Sequence, residues 1–91
     1  MVTPDIRKVK ICNKRGLHAR ASAKFVGVAG EFEAEILVSK DGMEVVGTSI
    51  MGLMMLAAAR GDMITLKGAG DGAKEALDAL EQLINCKFGE E

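Results

Sequence analysis

The stretch RGLHARAS, Arg15 to Ser22, holds the only histidine of the chain and sets it between two arginines. One imidazole cannot build a His-based metal cage or a hydrolytic triad, which need partners of fixed type and position. What it can do alone is act as a nucleophile. His18 follows Gly16 and precedes ARASAKFVGVA, a run of good helix composition from about Ala19, so it falls at or next to a helix N-cap. The first turn of a helix leaves backbone N–H groups unpaired and carries partial positive charge. Such a turn is a seat for an anion such as phosphate. The same field, with Arg15 and Arg20 nearby, opposes protonation of the ring and is expected to keep His18 largely neutral at pH 7. A phosphoryl group on the ring would bring roughly two negative charges. The N–H groups and the planar guanidinium of Arg20 are suited to hold them. A solvated cap or loop residue is the plainer alternative for His18, and these residues alone leave both readings open.

The rest of the chain offers little competing chemistry. Cys12 and Cys86 match no metal-ligand spacing, and a secreted domain of this size would more often carry several disulfides. Asp5, Asp41 and Asp62 read as turn or strand-edge residues with no partner pattern for a metal, so no metal and no cofactor is expected. LKGAGDGAKEA places Gly68, Gly70 and Gly72 between a strand and a helix. A dinucleotide fingerprint would need a further strand and an acidic residue about 20 positions on, so these read as a turn and cap. The Glu90–Glu91 tail is expected to fray.

The totals bound the function. Ninety-one residues suit a single domain over 1–91, with 48% hydrophobic and 27% charged residues, as in a soluble globular protein. A net charge of −1 argues against a dedicated nucleic-acid binder, and 3% aromatics leave no base-stacking platform. No segment approaches the ~18 apolar residues of a membrane span and no signal peptide is visible, so a cytoplasmic protein without membrane contact is expected.

Elements must now position the histidine. Arg7 to Cys12 alternates, with Val9 and Ile11 on one side, and reads as a half-buried strand. The helix from Ala19 places Phe25, Val26 and Ala29 on a buried stripe; Gly27 weakens it by about 1 kcal/mol relative to Ala. EAEILVS alternates Ala34, Ile36 and Val38 against Glu33 and Glu35, Lys40-Asp41-Gly42 signals a hairpin, and Met43 to Val46 returns. Thr48 to Ala59 is a second helical segment, and Asp62 to Lys67 a fourth strand. Asp71 is expected to cap a last helix with Ala73, Leu77, Leu80 and Ile84 on one face. The order β-α-β-β-α-β-α implies an α+β fold, an open-faced two-layer sandwich in which helices cover one face of an antiparallel sheet.

GLHARASAKFV strongly resembles the active-site segment of the HPr family, the histidine-containing phosphocarriers of the bacterial phosphoenolpyruvate-dependent phosphotransferase system. GTSIMGLMMLAA resembles that family's second signature, about thirty residues on, and the element order agrees along essentially the whole chain. The resemblance implies that His18 accepts a phosphoryl group on Nδ1 from Enzyme I and hands it to a histidine of an EIIA-type protein. It implies a stoichiometric carrier, not a turnover enzyme, and a monomer. Arg20 matches the family's phosphate-stabilising arginine, beside the backbone of Ala19, Arg20 and Ala21. Two departures stand out. Ala21 replaces the usual proline, which is favoured in a first helical turn, so function is expected to be retained with rate or affinity tuned. Gly27 and Gly30 stand where many members carry basic residues. Both lean the resemblance toward the regulatory, nitrogen-related branch over sugar transport.

SIMGLMMLAAA is apolar all round, and Ile50, Leu53 and Ala57 cannot face the same way as Met51, Met54 and Met55. One face should meet the core and the other water, where a methionine row makes an adaptable docking surface. The alternative is burial of the whole helix by an oligomer or the C-terminal tail. The resemblance favours docking, with Ala19, Ala23, Lys24, Ile50, Met51 and Met54 as partner contacts. Ser49 suits the N-cap of this helix and also matches the family's regulatory serine, target of an HPr kinase/phosphorylase. A rival reading from another class keeps the same fold and methionine face as a regulatory module that signals by binding alone. A third, a small-ligand-binding domain, lacks any polar pocket visible in the sequence.

Overall fold

Four short alternating segments zip into one antiparallel sheet in a computed structural model that describes residues 4–90. The strands are β1 (Asp5–Lys10), β2 (Glu35–Lys40), β3 (Met43–Val46) and β4 (Met63–Ala69), in the spatial order β1-β4-β2-β3. Alternation sends Val9, Ile36, Val38, Ile64 and Leu66 to one face, where all are buried. Ile6, Val46 and Met63 stand exposed, as expected for a sheet solvated on its other side. Lys40 pairs with Met43 across the hairpin, and Asp41 and Gly42 take φ of 51° and 85°, the left-handed pair a two-residue turn requires.

The helices are α1 (Ala19–Ala29), α2 (Ile50–Met55) and α3 (Ala73–Asn85). Each lends one stripe to the core: Ala21, Phe25 and Ala29 from α1, Leu53 from α2, and Ala73, Ala76, Leu77, Leu80 and Ile84 from α3. Val26 is only half-buried. Full burial of a side chain such as Phe25 contributes roughly 1.5–3 kcal/mol. Arg7, on the covered side of β1, spans to α3 through ion pairs with Asp78 and with Glu81 at 3.0 Å, which raise its pKa further. The open-faced two-layer sandwich and the β-α-β-β-α-β-α order stand as the sequence implies.

Several boundaries differ from expectation. The first strand begins two residues early and stops at Lys10, because the ladder with β4 runs from Asp5–Gly68 to Lys10–Met63. Ile11 lies beyond it, held by N–H donation to the Asp62 carbonyl at 2.9 Å, and is still fully buried. β4 runs on to Ala69. The second helix is only Ile50–Met55, not Thr48–Ala59: Leu56 and Ala57 donate to Leu53 and Met54 in tight 3-10 fashion, and Ala57 turns left-handed at φ 52°. So short a helix has no second turn on which to extend a buried stripe, and Ile50 and Ala57 are exposed beside the methionines. Asp71 does not cap α3. Gly72 occupies the N-cap in a left-handed conformation and offers no side chain. Finally, Glu90 is not frayed. A 3-10 turn, Lys87–Gly89, folds the tail back and buries Phe88; Glu91 lies outside the described residues.

Candidate functional site

The backbone before α1 is fixed from both sides. Leu17 donates to the Ala58 carbonyl at 3.0 Å, and Asn13 Nδ2 donates to the Gly16 carbonyl at 2.8 Å. Gly16 sits at φ 64°, and a Cβ there would lie 2.3 Å from the Ala58 oxygen, so only glycine fits. This staple delivers His18 to the N-cap in an extended conformation, φ −73°, ψ −179°. The His18 carbonyl accepts from Ser22 N at 2.9 Å, and buried Ser22 Oγ donates to the Leu17 carbonyl at 3.2 Å. The His18 side chain makes no capping bond, which leaves its ring for other partners.

Around the ring lies a cleft of about 450 Å³ lined by Lys14, Arg15, His18, Arg20, Lys24, Gly89 and Glu90. Four cations therefore face one carboxylate, in a pocket that nothing in the sequence announces. The N–H groups of Ala19, Arg20 and Ala21 open the helix and have no intrahelical acceptor. Among the described residues no carboxylate lies within ion-pairing distance of Arg20. Ala21 is completely buried, so its methyl packs inward as the helix starts.

The cleft's carboxylate is the unforeseen member. Glu90 Oε2 meets His18 Nε2, and Glu90 Oε1 accepts from Asn13 Nδ2 at 3.2 Å. The His18 hydrogen bond holds the Glu90 carboxyl below the ordinary carboxylate range, aided by the Asn13 hydrogen bond and by nearby positive charge, against the opposing effect of burial. Lys24 Nζ donates to the Phe88 carbonyl at 2.6 Å and so ties the tail to α1. One signal was available in the sequence: Phe88 follows Ile84 by four residues and continues the spacing of the apolar face of α3.

The expected docking residues are exposed on two helices that pack together. Ala19, Ala23 and Lys24 are exposed on α1, which packs beside α2. On α2, Met51 is 71% exposed, Met54 42% and Ile50 40%. Leu53 carries the helix into the core, and the described tail leaves the methionines exposed. Ser49 is the N-cap of α2, its Oγ accepting from Gly52 N at 3.0 Å. Cys12 and Cys86 are free thiols, and no group of three metal-ligating side chains occurs among the described residues.

Comparison with known proteins agrees with this geometry. Residues 6–85 match the family described as PTS HPr component phosphorylation site. The phosphocarrier protein HPr of Neisseria meningitidis is 52% identical over 84 residues, 92% of this chain and 94% of that one. The phosphocarrier protein NPr of Shewanella violacea is 46% identical over 92% of both chains. The crystal structure of HPr-C-His from Thermoanaerobacter tengcongensis superposes with a TM-score of 0.92 at 45% identity, covering 96% of this chain and 98% of that one. A sheet covered on one side, a helix opened by a histidine, and relatives aligned over nearly their full length converge on one conclusion: the chain belongs to the HPr family of phosphocarrier proteins of the phosphotransferase system.

Proposed function

We propose that His18 is the phosphoryl acceptor, taking the group on Nδ1 from an Enzyme I-type phosphotransferase and passing it to a histidine of an EIIA-type protein. The observation that carries this reading is the placement of the ring at the start of α1 inside a cleft with four cationic side chains. As the Nδ1 lone pair bonds to phosphorus, the bond to the donor's nitrogen breaks and its electron pair leaves with the donor. The incoming oxygens are then met by the N–H groups of Ala19, Arg20 and Ala21 and by the Arg20 guanidinium. Because the same cleft serves acceptance and release, the chain returns unchanged after each cycle.

The donor and the acceptor dock in turn on Ala19, Ala23, Lys24, Ile50, Met51 and Met54. Flexible, polarizable methionine side chains suit successive partners of different shape. Phosphorylation of Ser49 by an HPr kinase/phosphorylase would put charge in the middle of this apolar face and block docking without unfolding the domain. Cytoplasmic residence agrees with the free thiols, and no helix among the described residues is long and apolar enough to cross a membrane. Relatives named HPr and NPr align over the same span, and side-by-side transfer to EIIA proteins of the sugar and nitrogen branches assigns the acceptor.

The test is incubation with labelled phosphoenolpyruvate and Enzyme I. Acid-labile, alkali-stable label that disappears in His18→Ala supports the carrier; an unlabelled protein under conditions that label a known carrier contradicts it and leaves the binding-only module. Replacing both Met51 and Met54 by Glu should slow labelling by Enzyme I with the melting temperature unchanged, whereas unfolding would place these side chains in the core.

A further inference from the structure

The tail that covers His18 is built into the fold. Lys87, Phe88 and Gly89 all take left-handed φ, at 56°, 55° and 72°. Two of these are residues for which that region is costly, and such strain persists only where the surroundings impose it. Here they do: Phe88 is buried in the core, Lys24 Nζ holds its carbonyl at 2.6 Å, and Glu90 N donates to the Lys87 carbonyl at 3.0 Å. Asn13, itself buried and bonded to the Gly16 carbonyl, holds one oxygen of Glu90 and leaves the other for the imidazole.

The chemistry of that contact is directional. An ionised carboxylate only accepts hydrogen bonds, so the proton between Glu90 and the ring is carried by Nε2. A neutral imidazole has one N–H, and its lone pair is therefore on Nδ1. We infer that Glu90 is a positioning residue for phosphoryl transfer: it occupies Nε2, leaves Nδ1 as the single nucleophilic nitrogen, and balances the positive charge that the ring gains. The inference rests on the assignment of His18 as the acceptor. In the step, the Nδ1–P bond forms as the donor's bond to phosphorus breaks and the leaving group departs with the electron pair. The Nε2 proton stays in its hydrogen bond to Glu90, so the charge arising on the imidazolium has its counter-ion 16% exposed beside it. A carboxylate behind a histidine plays the same orienting part in hydrolytic triads, without itself taking the proton.

The experiment uses phosphoramidate, a small phosphoryl donor that needs no docking partner and releases ammonia as its P–N bond breaks. The full chain, Glu90→Ala, Glu90→Gln and His18→Ala are treated alike, and 31P NMR separates phosphate on Nδ1 from phosphate on Nε2. The unaltered chain should give the Nδ1 product alone. Glu90→Ala should react about tenfold more slowly, by analogy with other residues that orient an imidazole, and should give both products because Nε2 is uncovered. Glu90→Gln keeps the tail's shape and an acceptor oxygen, so it should keep Nδ1 selectivity at a reduced rate. A Glu90→Ala chain that matches the unaltered one in rate and in product overturns the role of Glu90 while leaving His18 as the acceptor. A spectrum in which no phosphate depends on His18 overturns the acceptor assignment, and the inference with it.

Discussion

At His18 the backbone does as much as the ring. The imidazole reaches the helix start because Gly16 passes against the Ala58 carbonyl in a left-handed turn that no side chain can enter. Gly16→Ala combines a disfavoured φ with a backbone overlap at 2.3 Å, and should cost about 2–3 kcal/mol in urea denaturation while slowing His18 phosphorylation. A stability within about 0.5 kcal/mol of the parent's, the usual scatter of neutral surface changes, would show the loop is free to shift. The placement of His18 and Arg20 at a helix start was legible in the sequence because it is local, whereas the approach of Gly16 to Ala58 was not, because it joins residues 42 positions apart. Nor was Glu90. It meets His18 across 72 positions, and two glutamates at a chain end carry no periodicity that marks them as anything but solvated.

Among the elements, the alternating strands, the Asp41-Gly42 turn and the apolar faces of α1 and α3 could be read directly, because periods of 2 and 3.6 record burial. The failures came where backbone geometry overrode composition. Residues 56–59 are good helix formers, yet α2 stops at Met55 because Ala57 turns left-handed to lead the chain back under Leu17. Asp71 has the chemistry of a cap, yet Gly72 holds the position with a φ of 80° that a side chain disfavours. Gly27 makes a clean test at this scale. It is exposed within α1, and no atom lies within 4 Å of where an added methyl would stand. Gly27→Ala should therefore stabilise the fold by about 1 kcal/mol through helix propensity alone. An unchanged or lowered denaturation midpoint would show that α1 depends on flexibility there.

Across the whole molecule, the tail links folding to the site. Glu90 has a depressed pKa in the fold, so its contribution to stability is complete above the ordinary carboxylate value and is lost as pH falls through the lowered one. The same cleft holds the basic side chains of Lys14, Arg15, Arg20 and Lys24 around that carboxylate. The stability difference between the parent and Glu90→Gln, measured by urea denaturation, should therefore be present at neutral pH and vanish in strong acid; a difference constant with pH would deny the ionised contact. Reversible carriage of the phosphoryl group by one histidine is tested most directly by a pulse-chase. The protein is charged with labelled phosphoenolpyruvate and Enzyme I, separated from both, and mixed with an EIIA-type protein. One label per chain on His18 that moves to the acceptor is the predicted result; label that resides on another residue, or that stays on His18 when the acceptor is added, would contradict it.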